Sequence, residues 1–440
     1  MPSMLEKLEA LRASITEKAP YRAGVLDVDP EDLILFYGKS REARRIDFSD
    51  VTSEDLEHLA TTCDPASFGM NNEDVLDESY RKAGKLDSKF FASRLDLNST
   101  GLLAMALDDL MEGGDDQQGV EAEIYKLNVY GEGSFFKAHL DTPRGSNMFG
   151  SLVIVFKTPH EGGSLIIRDH GREWTFDSAE AVATNEGPCV AYIAFYSDVE
   201  HEVTPVTKGY RVTLTYNLYF KRDPPTEHLQ LKSDSENVKA HLQALLDDPS
   251  FLPKGGYLGF GSNRLYPVPR VNIDEDYADI VDNLKGSDAV LMSAFKDLSL
   301  KIRPRAAVRK QWSSDNVYVL LPKMYDLRQT FDDSTGPLIT CLRTEYKGLV
   351  ISNQYARADN TSDDSDSSDQ DGGYDDGQSP DVDILWVNKL EGHTELYCPI
   401  ATYGNEANLN HIYTYVCFVA GIGPYGARLQ RTWKGKNKLL

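Results

Sequence analysis

Two histidines, one aspartate and one arginine set the chemistry this chain can be read for: His139-Leu140-Asp141, then His201, then Arg211. Side chains two apart on an extended strand point to the same face. One strand end can therefore offer an imidazole and a carboxylate to a single ion, with His201 as third ligand. Two His and one carboxylate on one face of an octahedron leave three positions open, as in non-haem Fe(II) oxygenase sites. Alone, His-x-Asp carries little weight in a chain with nine His and abundant Asp. Its weight comes from what surrounds it.

The surroundings read as strands. Residues 125–130 and 135–138 flank a Gly-rich turn, and runs at 149–156, 163–168, 172–176, 189–196 and 210–220 follow. Each is short, rich in β-branched and aromatic residues, and bounded by Gly, Pro, Asp or Asn, the pattern of an all-β sandwich or barrel. His201 falls just after one such strand, and Arg211 opens the last, Arg-Val-Thr-Leu-Thr-Tyr.

The segment from about 124 to 220 resembles the catalytic double-stranded β-helix (jelly-roll) of Fe(II)/2-oxoglutarate-dependent dioxygenases, most of all the prolyl 4-hydroxylase type. The resemblance rests on Tyr130, the block 135–142 (Phe-Phe-Lys-Ala-His-Leu-Asp-Thr), the Gly162-Gly163-Ser164-Leu165 hairpin, and the stretches 195–203 and 209–213. The whole chain is similar to a group of uncharacterised fungal proteins carrying this domain. The resemblance implies iron held by His139, Asp141 and His201, with 2-oxoglutarate and O2 at the open positions and ascorbate as a candidate reductant. It implies that Arg211 receives the far carboxylate of 2-oxoglutarate, helped by Tyr130 and Thr213. A guanidinium suits that task because it is always charged and binds carboxylates bidentately. Collagen-type prolyl hydroxylases place Lys where Arg211 stands, so the basic anchor carries over and the substrate does not. The implied reaction couples oxidative decarboxylation of 2-oxoglutarate to hydroxylation of an unactivated C–H, in a prolyl or other protein side chain. Oxidation of a small molecule of secondary metabolism and an inactive barrel acting as a scaffold are the alternatives. Arg211 has a second reading as a salt-bridged strand residue, and Tyr130 as a core aromatic.

Composition bounds the rest. Sixty-nine acidic against 46 basic residues give a net charge of −23, which argues against nucleic acid as a partner of the whole protein. The five cysteines are scattered, odd in number and free of C-x-x-C, and read as thiols of a reducing compartment. No basic start with an apolar h-region and no run of about 18 apolar residues is present, so the expected setting is intracellular, cytoplasmic or nuclear, with no membrane and no secretion. The partner is a protein or small-molecule substrate, and the oligomeric state stays open.

The expected fold is mainly β with flanking helices, in three parts: a helical and mixed lead-in at 1–119 that braces the barrel, the catalytic domain at 120–222, and an α+β domain at 223–440. In the lead-in, Leu5, Leu8, Leu11 and Ile15 have helical spacing, 33–37 reads as a strand, and 53–63, 74–82 and 100–111 read as helices. His58 belongs to a helix surface. In the last part, Ser233 to Glu236 forms a capping box, and Val238, Leu242, Leu245 and Leu246 form one apolar stripe. Residues 285–298 read as a helix, and 256–260, 317–321, 349–352 and 384–387 as strands. Residues 357–383, with ten Asp among Ser and Gly, read as a disordered loop. His393-Thr394-Glu395 mimics a ligand pair without the spacing of a second barrel, and the basic stretch around Trp433 reads as a solvated end.

Overall fold

The computed structural model describes all residues except 1, 16–17, 40–41, 71–72, 109, 112–118, 222–234, 270–276, 310–316, 324–337, 353–380, 389, 391–402, 407–409 and 429–440. Most of the acidic stretch, His393 to Glu395, Cys398, the first two residues of the capping box and the basic stretch around Trp433 therefore lie outside the described residues. The chain is mostly β with few helices.

Two antiparallel sheets carry the triad. The larger runs in the order Tyr21–Asp27, Cys189–Tyr196, Met148–Phe156, Arg211–Lys221, Gly119–Tyr130, Gly84–Asp87, Asp64–Pro65. The smaller runs Arg172–Phe176, Leu165–Asp169, Glu200–Val203, Phe135–His139, Arg81–Lys82. The strands Cys189–Tyr196 and Met148–Phe156 lack regular polar alternation because both faces are covered. Leu152, Ile154, Tyr192 and Ala194 enter the main core on one face, while Val155, Cys189 and Ala191 pack with Val182 of the helix Ser178–Ala183 on the other. A strand buried on both sides reads as a continuous apolar run.

Register sets what meets what. His139 lies directly opposite His201, Tyr130 opposite Arg211, and Asn128 opposite Thr213. A one-residue slip would turn every one of these side chains to the other face.

The lead-in differs from expectation in four ways. It does more than brace the barrel: three of its strands, Tyr21–Asp27, Asp64–Pro65 and Gly84–Asp87, belong to the larger sheet. Its first helix, Met4–Ser14, sends Leu8 and Leu11 into a second core with Val238, Leu242 and Leu245 of the helix Ser235–Leu246. The expected helix at 74–82 is absent. Asp77 accepts from the Ser79 backbone N–H at 2.8 Å, an Asx turn that competes with helix, and short strands Glu73–Val75 and Arg81–Lys82 flank it. The helix expected at 100–111 shortens to Leu102–Leu107. The helix Ser53–Thr62 forms with Thr52 as cap and Asp55 completing the box, and its His58 bonds Tyr37 Oη rather than joining any ligand group.

Beyond the larger sheet's last strand, a six-stranded sheet runs Leu349–Ser352, Val317–Leu321, Ile302–Arg309, Cys417–Ile422, Gly256–Gly261, Ile384–Trp386. It packs with the helices Ser235–Leu246 and Gly286–Asp297. Asp381 to Asp383, the end of the acidic stretch, are seated rather than loose: Asp381 accepts from Val350 N and pairs with Arg343, and Val382 is buried. The four described cysteines are free thiols, and no described helix is long and apolar enough to cross a membrane.

Leu11 is fully buried in the second core. Leu11→Ala should cost about 2–5 kcal/mol, read as a lowered midpoint in urea unfolding.

Candidate metal centre

Strand pairing delivers the three ligand residues to one point. His139 ends the strand Phe135–His139, Asp141 follows in the connection, and His201 lies on Glu200–Val203. All three are buried, and their ligand atoms lie within 4.8 Å of one another. His201 Nε2 is 3.8 Å from Asp141 Oδ1, and the imidazole centroids are 4.2 Å apart.

Both imidazoles are fixed the same way. His139 Nδ1 donates to Lys137 O at 2.8 Å, and His201 Nδ1 donates to Val199 O at 2.9 Å. A carbonyl only accepts, so each proton sits on Nδ1 and each Nε2 keeps its lone pair. Burial, reinforced by the neighbouring His201, holds His139 well below the usual imidazole range. It is thus a neutral ligand at ordinary pH. Phe136 stacks on His139 at 3.6 Å between centroids, and the Arg81 guanidinium stacks on Phe136 at 4.2 Å.

Asp141 is gripped from both sides. Ser151 Oγ donates to Oδ2 at 2.5 Å, and Asn405 Nδ2 donates to Oδ1 at 2.5 Å. Its backbone N donates to Ser197 O, and its backbone O accepts from Tyr413 Oη at 3.1 Å. Asn405 and Tyr413 belong to the C-terminal part of the chain, where sequence reasoning placed no site residue. The tripeptide Gly404-Asn405-Glu406 has no motif, periodicity or charge pattern by which to find it.

The turn Ser197-Asp198-Val199 supplies carbonyls to both Asp141 and His201, and the C-terminal part holds this turn as well. Lys285 Nζ meets Asp198 Oδ1 at 2.6 Å, Leu265 N donates to Asp198 Oδ2 at 2.9 Å, and Arg264 lies 3.8 Å away. Burial raises the Asp198 carboxyl, but Lys285 and Arg264 outweigh it and leave it below the usual carboxylate range.

Arg211 is 1% exposed. Its Nε donates to Ser178 Oγ at 3.3 Å, while Nη2 is buried with no hydrogen-bond partner, and no ion pair holds it among the described residues. Asp177, the nearby carboxylate, caps the helix Ser178–Ala183 instead. Burial pulls the guanidinium below its ordinary value, with Tyr130 and Asp177 opposing. The salt-bridge reading of Arg211 is therefore not met. Gly163 makes room for it: at φ +72°, a Cβ there would stand 2.8 Å from Arg211 Cδ. Tyr130 packs in the main core with its ring 5.6 Å from the guanidinium carbon, and Thr213 is buried two residues along the Arg211 strand.

One cavity joins these groups. Its walls include the triad, Arg211, Tyr130, Thr213 and Asn405, with Arg81, Lys126, Asn128 and Thr215 also lining it. Lys126 pairs with Glu406 at 3.6 Å, and burial together with Lys85, Arg81 and Arg144 draws its ammonium down to about 7. Two lone-pair nitrogens, a fixed carboxylate and a buried cation with an unused donor fit a divalent metal and a dicarboxylate.

Comparison with known proteins agrees with the geometry. Residues 125–219 match the family model described as the 2OG-Fe(II) oxygenase superfamily. No curated protein matches. Among solved structures, a prolyl-4-hydroxylase from Pseudomonas putida is similar at 19% identity and TM-score 0.30, covering 49% of this chain and 100% of that one. A Trichoplax adhaerens prolyl hydroxylase, in complex with a hypoxia inducible factor peptide fragment, is similar at 16% identity and TM-score 0.28, covering 49% and 91%. A viral collagen prolyl hydroxylase from Paramecium bursaria Chlorella virus-1 shows 11% identity and TM-score 0.24, covering 46% and 96%. The resemblance to Fe(II)/2-oxoglutarate oxygenases read from the sequence is the one the family model finds.

Removing one partner of a buried ion pair leaves an uncompensated charge, so Lys285→Met should cost about 3–5 kcal/mol in urea unfolding. The depressed Asp198 carboxyl also sets an acid signature. Its stabilisation is complete above the unfolded value of about 3.9 and fades as pH falls through the lower folded value. Urea midpoints taken from pH 6 downward should therefore drop more steeply below about 4 in the wild type than in Asp198→Asn.

Proposed function

We propose that the protein is an Fe(II)- and 2-oxoglutarate-dependent dioxygenase that hydroxylates an unactivated C–H in a protein side chain, prolyl first among the candidates. The observation that carries this reading is a buried His-Asp-His group sharing one cavity with a buried arginine that makes no ion pair among the described residues. In this reading the two sheets form a double-stranded β-helix, His139, Asp141 and His201 hold the metal, and Arg211 holds the far carboxylate of 2-oxoglutarate. Bound iron, with 2-oxoglutarate and O2, would supply the oxidising power for C–H cleavage.

The chain's own contribution is orientation and exclusion of water. The Nδ1–carbonyl bonds fix both imidazoles with Nε2 toward the cavity, and Ser151 and Asn405 fix the carboxylate. Arg211 offers Nη2 as a donor inside a buried site, where a charge-assisted bond is strong. Tyr130 fills the space beside it, and Thr213 offers a hydroxyl on the same strand face. All three triad residues line the cavity, which supports a working site over a scaffold. Dependence on ascorbate and an intracellular setting, suggested by the scattered thiols, belong to the same reading.

Anaerobic titration of Fe(II) and 2-oxoglutarate tests it, read by the visible charge-transfer absorption of a 2-oxo acid chelated to Fe(II). The wild type should develop the band. His139→Ala should lose it. Arg211→Ala should keep iron but need about 10- to 150-fold more 2-oxoglutarate, the worth of a hydrogen bond to a charged group at about 1.5–3 kcal/mol. A folded, iron-supplied wild type with no band would overturn the reading.

A further inference from the structure

We infer that the C-terminal half completes the metal site, and that Asn405 is a positioning residue that holds the Asp141 carboxylate with Oδ1 toward the histidines. The inference rests on the reading of the triad as a divalent-cation site.

Each oxygen of a carboxylate has two lone pairs, and the group turns freely about its last bond unless something holds it. Asn405 donates to Oδ1, the oxygen that faces His201 Nε2, and Ser151 donates to Oδ2. Rotation would break both bonds at once. Each oxygen then keeps one lone pair, and Oδ1 is the one that faces His201. The two bonds together hold the carboxylate in that orientation.

Asn405 can impose this because it is itself held. Its Oδ1 accepts from Thr142 N at 3.0 Å, so the amide cannot flip without losing that bond. Its backbone O accepts from Arg81 Nη1, and Arg81 also stacks on Phe136, which stacks on His139. Thr142 Oγ1 donates to Glu406 O and accepts from Glu406 N. Gly404 bridges to Leu140 in a spot where a Cβ would stand 2.4 Å from Thr142 Oγ1. Tyr403 and Gly404 pair with Met70 and Gly69, which ties the segment to the lead-in strand Phe68–Met70. Three separate parts of the chain thus converge on one ligand oxygen.

Metal affinity of the full-length protein provides the test, with Mn(II) as probe followed by electron paramagnetic resonance. Groups that orient metal ligands typically contribute about 10- to 100-fold in affinity. Asn405→Leu, near in size and without the donor, should weaken Mn(II) by that factor. Asn405→Gln, which keeps an amide donor, should recover part of it. Urea unfolding of the metal-free proteins separates positioning from folding: the affinity should fall while the midpoint stays close to wild type. If the leucine variant does not fold, Asn405→Ala is read in its place. A wild type that takes up no Mn(II) would overturn the metal reading itself. A wild type that binds, matched within threefold by a folded Asn405 variant, would overturn this inference alone.

Discussion

One buried carboxylate outside the candidate ligand set, that of Asp198, governs the geometry of that set. Asp198 sits between two residues whose carbonyls orient the site, Ser197 toward Asp141 and Val199 toward His201. Burying a charge is costly unless it is paired and hydrogen-bonded. Here Lys285, Arg264 and the Leu265 amide do both, and all three come from the C-terminal half. The turn is therefore placed by an interaction whose loss would strand a charge, and it can hardly drift. Two of the three candidate ligands take their orientation from its backbone.

The same logic extends outward in shells. Antiparallel register sets His139 against His201 and Tyr130 against Arg211, so the triad and its cationic neighbour are fixed by the same pairing that closes the core. Side-chain rotation is then removed by local bonds, each histidine to the carbonyl two residues before it. The aspartate alone lacks such a bond within its own strand, and its two oxygens are held by Ser151 and by a residue from the far end of the chain. Arg211 departs from the pattern. Its guanidinium is buried and only partly bonded, a cost the fold bears where an anionic guest would relieve it.

The sequence disclosed the parts whose signals are local. His139 and Arg211 stand on strands that form where their composition places them, and Asp141 follows the first in the connection; His201, expected just after a strand, lies on one of its own, Glu200–Val203. The stripe of Val238, Leu242, Leu245 and Leu246 likewise marks its helix. The reading failed where a polar side chain outcompeted periodicity, as at Asp77, whose Asx turn replaces a helix expected at 74–82. It also could not see contacts made between distant segments. Asn405, Tyr413, Lys285 and Arg264 are ordinary residues in ordinary surroundings, and only the fold brings them to Asp141 and Asp198. Helix Met4–Ser14 shows the same limit: its apolar spacing announces a helix but not which core receives it.

That last helix has a consequence for the order in which the protein comes into being. Leu8 and Leu11 are made before the triad-bearing region, and their partners in the helix Ser235–Leu246 only after it. Asn405 reaches Asp141 across a separation of 264 residues. Contacts so distant in sequence form late, because closing long loops costs entropy before any contact repays it. A nascent chain can therefore display both histidines and the aspartate while the aspartate still turns freely. A metal captured at that stage would meet an unfinished site, because Asn405 has yet to be made. The candidate ligand set closes only after segments on both sides of it have been made.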